Sequence, residues 1–138
     1  MEVEKLHKSN FVDDMRGEPT VLFTSKGLIS FNHTAVVHLQ LMNKKGYFNV
    51  CICRDPKKPS DFSVCKDEDG WKLRKASAGR AVFNCVGLAR HVIDTTWESF
   101  ISHPVGVLKP GTMVFRIARL PLDDLKNRDV FALLRRKS

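Results

Sequence analysis

The sequence predicts a β-rich α+β domain made of two similar halves, each a β-hairpin, a short helix and a further strand, arranged as a pseudo-twofold, barrel-like unit. Three observations predict this class. Short β-prone segments alternate with turn residues along the chain, a Gly-x-x-x-Phe-Asn string at residues 27–32 returns at 79–84, and an apolar pattern of helical spacing follows each copy. With 138 residues and a hydrophobic fraction of 43%, the chain can form one domain with its own core.

The two copies of the string are displaced by 52 positions. In each copy a glycine, Gly27 or Gly79, permits a tight turn, and the residues after it suit a short strand. The asparagine that follows, Asn32 or Asn84, can cap a helix through its side-chain oxygen. Chance remains the alternative, since the identities are few. The repeat predicts two turn-strand-helix units.

In the first half we expect a hairpin, a helix, a strong strand and a proline-containing loop. Pro56 and Pro59 favour that loop because proline lacks an N–H donor and restricts the residue before it. These elements are strands at 20–24, 28–31 and 47–53, a helix at about 33–41, and the loop at 55–60.

In the second part we expect a hairpin of strands 61–65 and 71–75 around a turn at 67–70, with Lys72 and Arg74 pointing outward. A strand at 80–83, a helix at about 85–95 and a strand at 113–118 follow. The apolar segment 130–134 has no deciding period, and we favour a strand over a helix there. The total is about seven strands and two helices.

These elements set the predicted domain limits. Residues 1–19 form a loosely ordered arm, 20–134 a single domain with half-repeats at about 20–54 and 71–119, and 135–138 a basic tail.

The chain is strongly basic, with 23 Lys and Arg against 15 Asp and Glu and a net charge of +8. Such a charge favours acidic partners, although a solvated basic face without a partner is the alternative. The cations near the two turns and on the second helix are the candidate phosphate-binding residues. They are Lys26, Lys72, Arg74, Lys75, Arg80 and Arg90.

Cys51 and Cys53 share one face of their predicted strand and could offer two thiolates to zinc, but Cys65 and Cys85 have no Cys or His neighbour at ligand spacing. We therefore expect ordinary half-buried thiols, no metal and no cofactor. A charged N-terminus without a signal peptide, together with four cysteines, favours a reduced cytoplasmic protein. No apolar run approaches a membrane span, so we expect no membrane partner.

No motif of a hydrolase, a phosphate-binding loop or a metalloprotease occurs in the sequence. We expect a protein that is not an enzyme and has no catalytic residues, although residues that converge only in space leave no sequence pattern.

Lys26–Asn32, followed by a short helix and then by Lys45–Val50, resembles the swapped-hairpin module of AbrB-type transcription regulators and antitoxins. The resemblance covers about residues 20–53, and extends to 73–118 through the repeat. It implies a single-chain tandem of two half-modules that binds DNA, with Lys26 facing DNA in one half and Arg80 with Lys75 in the other.

The chain departs from that family in three places. Asn32 and Asn84 stand where the family usually has proline, an apolar strand at 21–23 replaces an arginine-rich one, and the hairpin at 54–71 is additional.

These observations predict a non-enzymatic nucleic-acid-binding protein, a small transcription regulator with double-stranded DNA as its partner. The alternative is a protein-interaction or assembly module whose basic surface meets an acidic protein. The two differ in the placement of the cations, because DNA binding requires them on one continuous face. The sequence leaves monomer and homodimer open.

Overall fold

The computed structural model describes residues 18–99, 109–119 and 130–135. This part of the chain forms eleven strands, two α-helices and one 3-10 turn. The strands are β1 Thr20–Thr24, β2 Leu28–Phe31, β3 Met42–Asn43, β4 Gly46–Tyr47, β5 Asn49–Asp55, β6 Lys58–Lys66, β7 Trp71–Lys72, β8 Arg74–Lys75, β9 Ala81–Asn84, β10 Thr112–Arg119 and β11 Val130–Arg135. The helices are α1 His33–His38 and α2 Val86–Glu98, and the 3-10 turn is Ser77–Gly79.

Nine strands form one antiparallel sheet in the order β7-β5-β6-β11-β10-β1-β2-β9-β8, and β3 and β4 form a separate hairpin. The two edge strands, β7 and β8, are separated in the chain by Leu73 alone. The sheet therefore curls until its edges are almost joined, which leaves little unpaired edge. The β-rich α+β class is confirmed, with more strands than the seven expected. The two-half repeat stays a prediction.

The core lies inside the curled sheet and follows the period-two alternation of the strands. Val21 and Phe23 of β1, and Ile29 and Phe31 of β2, are fully buried. The ring of Phe23 meets that of Phe115 edge to face, with centroids 5.5 Å apart. Each such side chain contributes about 1.5–3 kcal/mol by leaving water.

Helix α2 packs against β1, β2 and β6. Its buried residues are Ala89, Val92, Ile93 and Thr96, which lie at the i, i+3, i+4 and i+7 positions of one helical stripe. The stripe explains why this segment is helical although several of its residues are β-branched.

Asn32 caps helix α1 as predicted. Its Oδ1 accepts from the backbone N–H of Ala35 at 2.8 Å and from that of Thr20 at 3.1 Å. The helix ends at His38 rather than at residue 41, because Gln40 has a φ of 52°, outside the helical region. The β3–β4 hairpin that follows was not predicted.

The predicted cap at Asn84 is wrong. Asn84 is the last residue of β9, and the N-cap of α2 is Cys85, which makes no side-chain capping bond. The Oδ1 of Asn84 accepts instead from Arg74 at 3.0 Å. Helix α2 also continues to Glu98, beyond the expected end at residue 95.

The proline-containing loop at 55–60 is also wrong, because β6 already begins at Lys58 and includes Pro59. The β5–β6 register shifts between Arg54 and Asp55, so that Asp55 pairs with Lys58 while Arg54 pairs with Phe62. The extra residues of β6 form a bulge, where a proline without an N–H is tolerated.

The predicted pairing of strand 71–75 with strand 61–65 is wrong as well. Trp71 and Lys72 pair with β5, while Arg74 and Lys75 pair with β9. The strand divides at Leu73, which is buried between the two. The predicted alternation holds, since Lys72 and Arg74 are exposed.

The later strands agree with expectation: β10 contains the predicted 113–118 segment, and β11 confirms a strand at Val130. Most of the predicted arm, residues 1–17, and residues 136–138 of the predicted tail lie outside the described residues. Pro19 is bound to the sheet, its carbonyl oxygen accepting from the N–H of Ile117 at 2.9 Å.

Within residues 18–99, 109–119 and 130–135, neither helix has the length and apolar character that crossing a membrane requires.

Two glycines test how tightly the β1–β2 turn packs on α2. Gly27 and Gly46 have φ values of 104° and 127°, so alanine strains the backbone at both by about 1–3 kcal/mol. A Cβ on Gly27 would also lie 2.6 Å from Cγ2 of Val86, whereas Gly46 has no atom within 4 Å of its Cβ position. We expect Gly27→Ala to lower the free energy of unfolding in urea by about 1–3 kcal/mol more than Gly46→Ala. Equal losses would contradict this packing.

Candidate functional site

The turn between β1 and β2 is fixed against the start of helix α2. The N–H of Gly27 donates to the carbonyl oxygen of Thr24, and the carbonyl oxygen of Gly27 accepts from the N–H of Cys85, both at 2.9 Å. Lys26 lies at the tip of this turn and is exposed. The backbone at Lys26 therefore lies beside the beginning of α2.

Arg90 is exposed on the second turn of α2 and reaches the same β-turn. Its Nε donates to the carbonyl oxygen of Ser25 at 3.0 Å. This bond holds the guanidinium group beside Lys26, although 65 residues separate Arg90 from Ser25 in the chain.

Arg74 joins this region from the neighbouring strands. Its guanidinium donates to Oδ1 of Asn84. Asn84 pairs with Leu28 of β2, the residue that follows the Gly27 turn. Lys72 lies two positions before Arg74 on the same outward face, about 7 Å away along the strand. We call Lys26, Lys72, Arg74 and Arg90 the Gly27 patch.

The remaining two predicted residues differ from those of the patch in direction or in hydrogen bonding. Lys75 is exposed but, by strand alternation, points to the opposite side from Arg74. Arg80 is half-buried and donates to the carbonyl oxygen and the Oγ of Ser77, both at 3.0 Å, and to Oγ of Ser30 at 3.5 Å. Its bonds fasten the 3-10 turn to the sheet, which is a structural use of the guanidinium.

No side chain of the patch has an ion-pair partner among the residues that the structure describes. The ion pairs found there join Lys109 to Asp94, one helical turn beyond Arg90 on α2, and Arg116 to Glu18. Arg74 and Arg90 donate to uncharged oxygens, which orient their guanidinium groups without neutralising them. An exposed acidic turn at residues 67–69 borders the patch beside Lys72. The arrangement can bind an anion with several charges.

A cluster of three thiols was not predicted from the sequence. Cys51 of β5 lies directly opposite Cys65 of β6, and the sulfur atoms of Cys53 and Cys65 are 3.3 Å apart. The alternation within β5 already placed Cys51 and Cys53 on one face, but only the β5–β6 register brings Cys65 to them. In the described part of the chain, no three His, Cys, Asp or Glu side chains form a group that could hold a metal ion.

Two surface clefts are found among the described residues. One, of about 400 Å³, is lined by Pro19, His38, Leu39, Ile117 and Phe131. The other, of about 410 Å³, is lined by Tyr47, Phe48, Asn49, Lys66, Asp67 and Glu68. Neither is lined by a cation of the Gly27 patch.

No protein-family model, curated protein or solved structure matches the chain.

Alanine substitutions at Arg80 and at Lys72 should differ in their effect on stability, because Arg80 has a structural role and Lys72 is a surface cation. We expect Arg80→Ala to lower the free energy of unfolding by about 1–3 kcal/mol, because the bonds to Ser77 and Ser30 are lost. Lys72→Ala should change it by less than about 0.5 kcal/mol, because Lys72 is exposed. Thermal unfolding followed by circular dichroism measures both. An Arg80→Ala protein as stable as the wild type would remove this structural role.

Proposed function

We propose that this protein is a non-enzymatic, nucleic-acid-binding regulator whose Gly27 patch contacts the phosphates of double-stranded DNA. The observation that carries the proposal is that Lys26 and Arg90 lie at one turn of the sheet, with Arg74 and Lys72 on the strands beside it, and that none of the four has an ion-pair partner in the described residues. Duplex DNA presents one negative charge per about 1.7 Å of its axis, so several cations can be engaged at once.

The side chains around the patch favour a duplex over a single strand. Proteins that bind single strands usually stack bases on exposed aromatic rings. The exposed large hydrophobic residues in the described part of the chain are Val37, Met42, Val86 and Leu134, none of which is aromatic. Contact with the phosphate backbone is therefore the favoured mode, and it positions a protein on DNA without reading sequence.

A second part of the proposal is that the chain is a tandem of two half-modules about a pseudo-twofold axis, as in the swapped-hairpin regulators that it resembles. Ser30 pairs directly with Val82, which lies 52 positions further along the chain. The same displacement carries the pair of Leu22 and Ser30 in β1–β2 onto the pair of Arg74 and Val82 in β8–β9. Strands that pair with their own copies in this way would lie on the axis.

In the remaining strands, a residue and its counterpart are 67 positions apart in the chain instead of 52. The difference arises because the segment from the helix to the next long strand is longer in the second half. Val64 of β6 pairs with Phe131 of β11, 67 positions further along. The curled sheet can be followed as a circle in which β7 and β8 count as one strand. If β1, β2, β5 and β6 change places with β7/β8, β9, β10 and β11, respectively, the order of strands around this circle stays the same. This invariance supports the tandem.

In the proposed tandem, only the second half carries the strand cations of the DNA contact. The positions that correspond to Arg74 and Lys72 in the first half are Leu22 and Thr20. One chain therefore offers one cationic patch. We also propose that the protein is located in the cytoplasm, together with the DNA it binds.

We expect the protein to bind a short labelled DNA duplex, with an affinity that falls steeply as salt rises. Four phosphate contacts give a slope of about −3.6 in a plot of log affinity against log salt concentration, and Lys26→Ala or Arg74→Ala should each reduce that slope by about one. Fluorescence anisotropy over a salt titration measures both the slope and the affinity.

Lys57→Ala is the matched control, because it removes an exposed charge at the β5–β6 turn, about 20 Å along β5 from the residue paired with Lys72. An equal loss with Lys57→Ala would indicate non-specific attraction to net charge. Absence of duplex binding at low salt would overturn the proposal, and binding to an acidic polypeptide alone would favour an assembly module.

A further inference from the structure

The outward face of the β5–β6 hairpin carries three cysteines that the proposed DNA contact does not use. Cys51 and Cys53 project from β5, and Cys65 projects from β6 directly opposite Cys51. All three are half-buried thiols, so a small molecule can reach them from solvent. They are absent from the buried core, whereas Cys85 packs against it.

Cys65 is the member of this cluster that faces both others. It lies directly opposite Cys51, and directly opposite pairs in antiparallel strands have Cα atoms about 4.5–5.5 Å apart, within the range that disulfides span. Its sulfur is 3.3 Å from that of Cys53. A bond between sulfurs is about 2.05 Å long, so the sulfurs of Cys53 and Cys65 have to approach by little more than about 1 Å to be joined.

We propose that this cluster is a reversible oxidation site, at which a peroxide joins Cys65 to one of the two thiols of β5 in an intramolecular disulfide. One thiolate attacks a peroxide oxygen, the O–O bond breaks, and a sulfenic acid forms with release of water or an alcohol. The second thiol attacks that sulfur, the S–S bond forms, and water leaves. The two thiols lose two electrons, which the peroxide gains, and a dithiol reductant reverses the change.

The surroundings of the thiols set the rate of this reaction. Burial, followed by the neighbouring Cys53 thiol, raises the pKa of Cys65 to about 12. Burial and the carboxylates of Asp67 and Asp69 raise the pKa of Cys51. Because the thiolate is the nucleophile, oxidation should be slow at neutral pH and should accelerate as the pH rises.

The test uses the full-length reduced protein treated with hydrogen peroxide and then with an alkylating agent. We expect intact-mass analysis to show the loss of two hydrogen atoms and protection of two of the four thiols, with no change in the monomer band on a non-reducing gel. Peptide mapping should find Cys65 in the disulfide. Dithiothreitol should restore all four thiols to alkylation.

Four variants decide the assignment. Cys65→Ser should abolish the intramolecular disulfide, while Cys85→Ser, the matched control, should leave it unchanged. In two further variants, Cys51→Ser and Cys53→Ser, the remaining β5 thiol should still pair with Cys65. Circular dichroism of each variant before oxidation establishes that it folds, and denatured wild-type protein shows the pairing expected without the fold.

A disulfide that persists in Cys65→Ser would overturn the proposal. Oxidation that yields only sulfinic acid or intermolecular dimers in the folded wild type would overturn it equally. Because none of these readouts involves nucleic acid, they are independent of the proposed DNA contact.

Discussion

Antiparallel pairing of β2 with β9 is the interaction on which the rest of the structure depends. It joins strands from the two parts of the chain and places each glycine turn against the helix of the other part. Gly27 packs against Val86 at the start of α2, and Gly79 packs against His33 at the start of α1. Pairing of Leu28 with Asn84 in the same ladder brings Arg74 to the Gly27 turn. The same ladder therefore packs the two turns on the helices and positions Arg74.

The patch shows how a fold can gather cations without losing their charge. Like charges repel, so a cluster of four lowers stability unless it is exposed and screened. The fold holds Arg74 and Arg90 by bonds to an amide oxygen and a backbone carbonyl oxygen rather than to carboxylates. Arg80 differs, because its guanidinium is half-buried and its bonds link the 3-10 turn to Ser30. Position alone does not separate these roles, but the hydrogen-bond partners do.

Local patterns were sufficient to predict much of the fold. Strand propensity between turn residues identified β1 and β2, the order of elements in the repeat identified β10, and the side-chain oxygen of Asn32 predicted the start of α1. Errors arose wherever the outcome depends on which strands meet. Pro59 lies in a strand because of a bulge in the β5–β6 ladder, and strand 71–75 divides because two different partners take its two ends.

For the candidate site too, local patterns indicated residue types, whereas strand pairing decided which residues meet. Charge and position along the chain selected six candidate cations, but did not indicate which of them would lie near one another. The thiol cluster was missed because Cys65 meets Cys53 only through a register that no spacing along the chain encodes. Side-chain identity was readable from the sequence, whereas the neighbours of each side chain were set by long-range pairing.

Nuclear magnetic resonance of the labelled protein, titrated with a short DNA duplex, tests the central claim most directly. It locates the contact residue by residue rather than reporting affinity alone. Contact through the Gly27 patch predicts that backbone amide shifts concentrate in the turn at Ser25–Gly27, at Asn84 and in the first turns of α2. Shifts confined to the β5–β6 turn or to the cleft beside Phe48, or no shifts at saturating duplex, would contradict it.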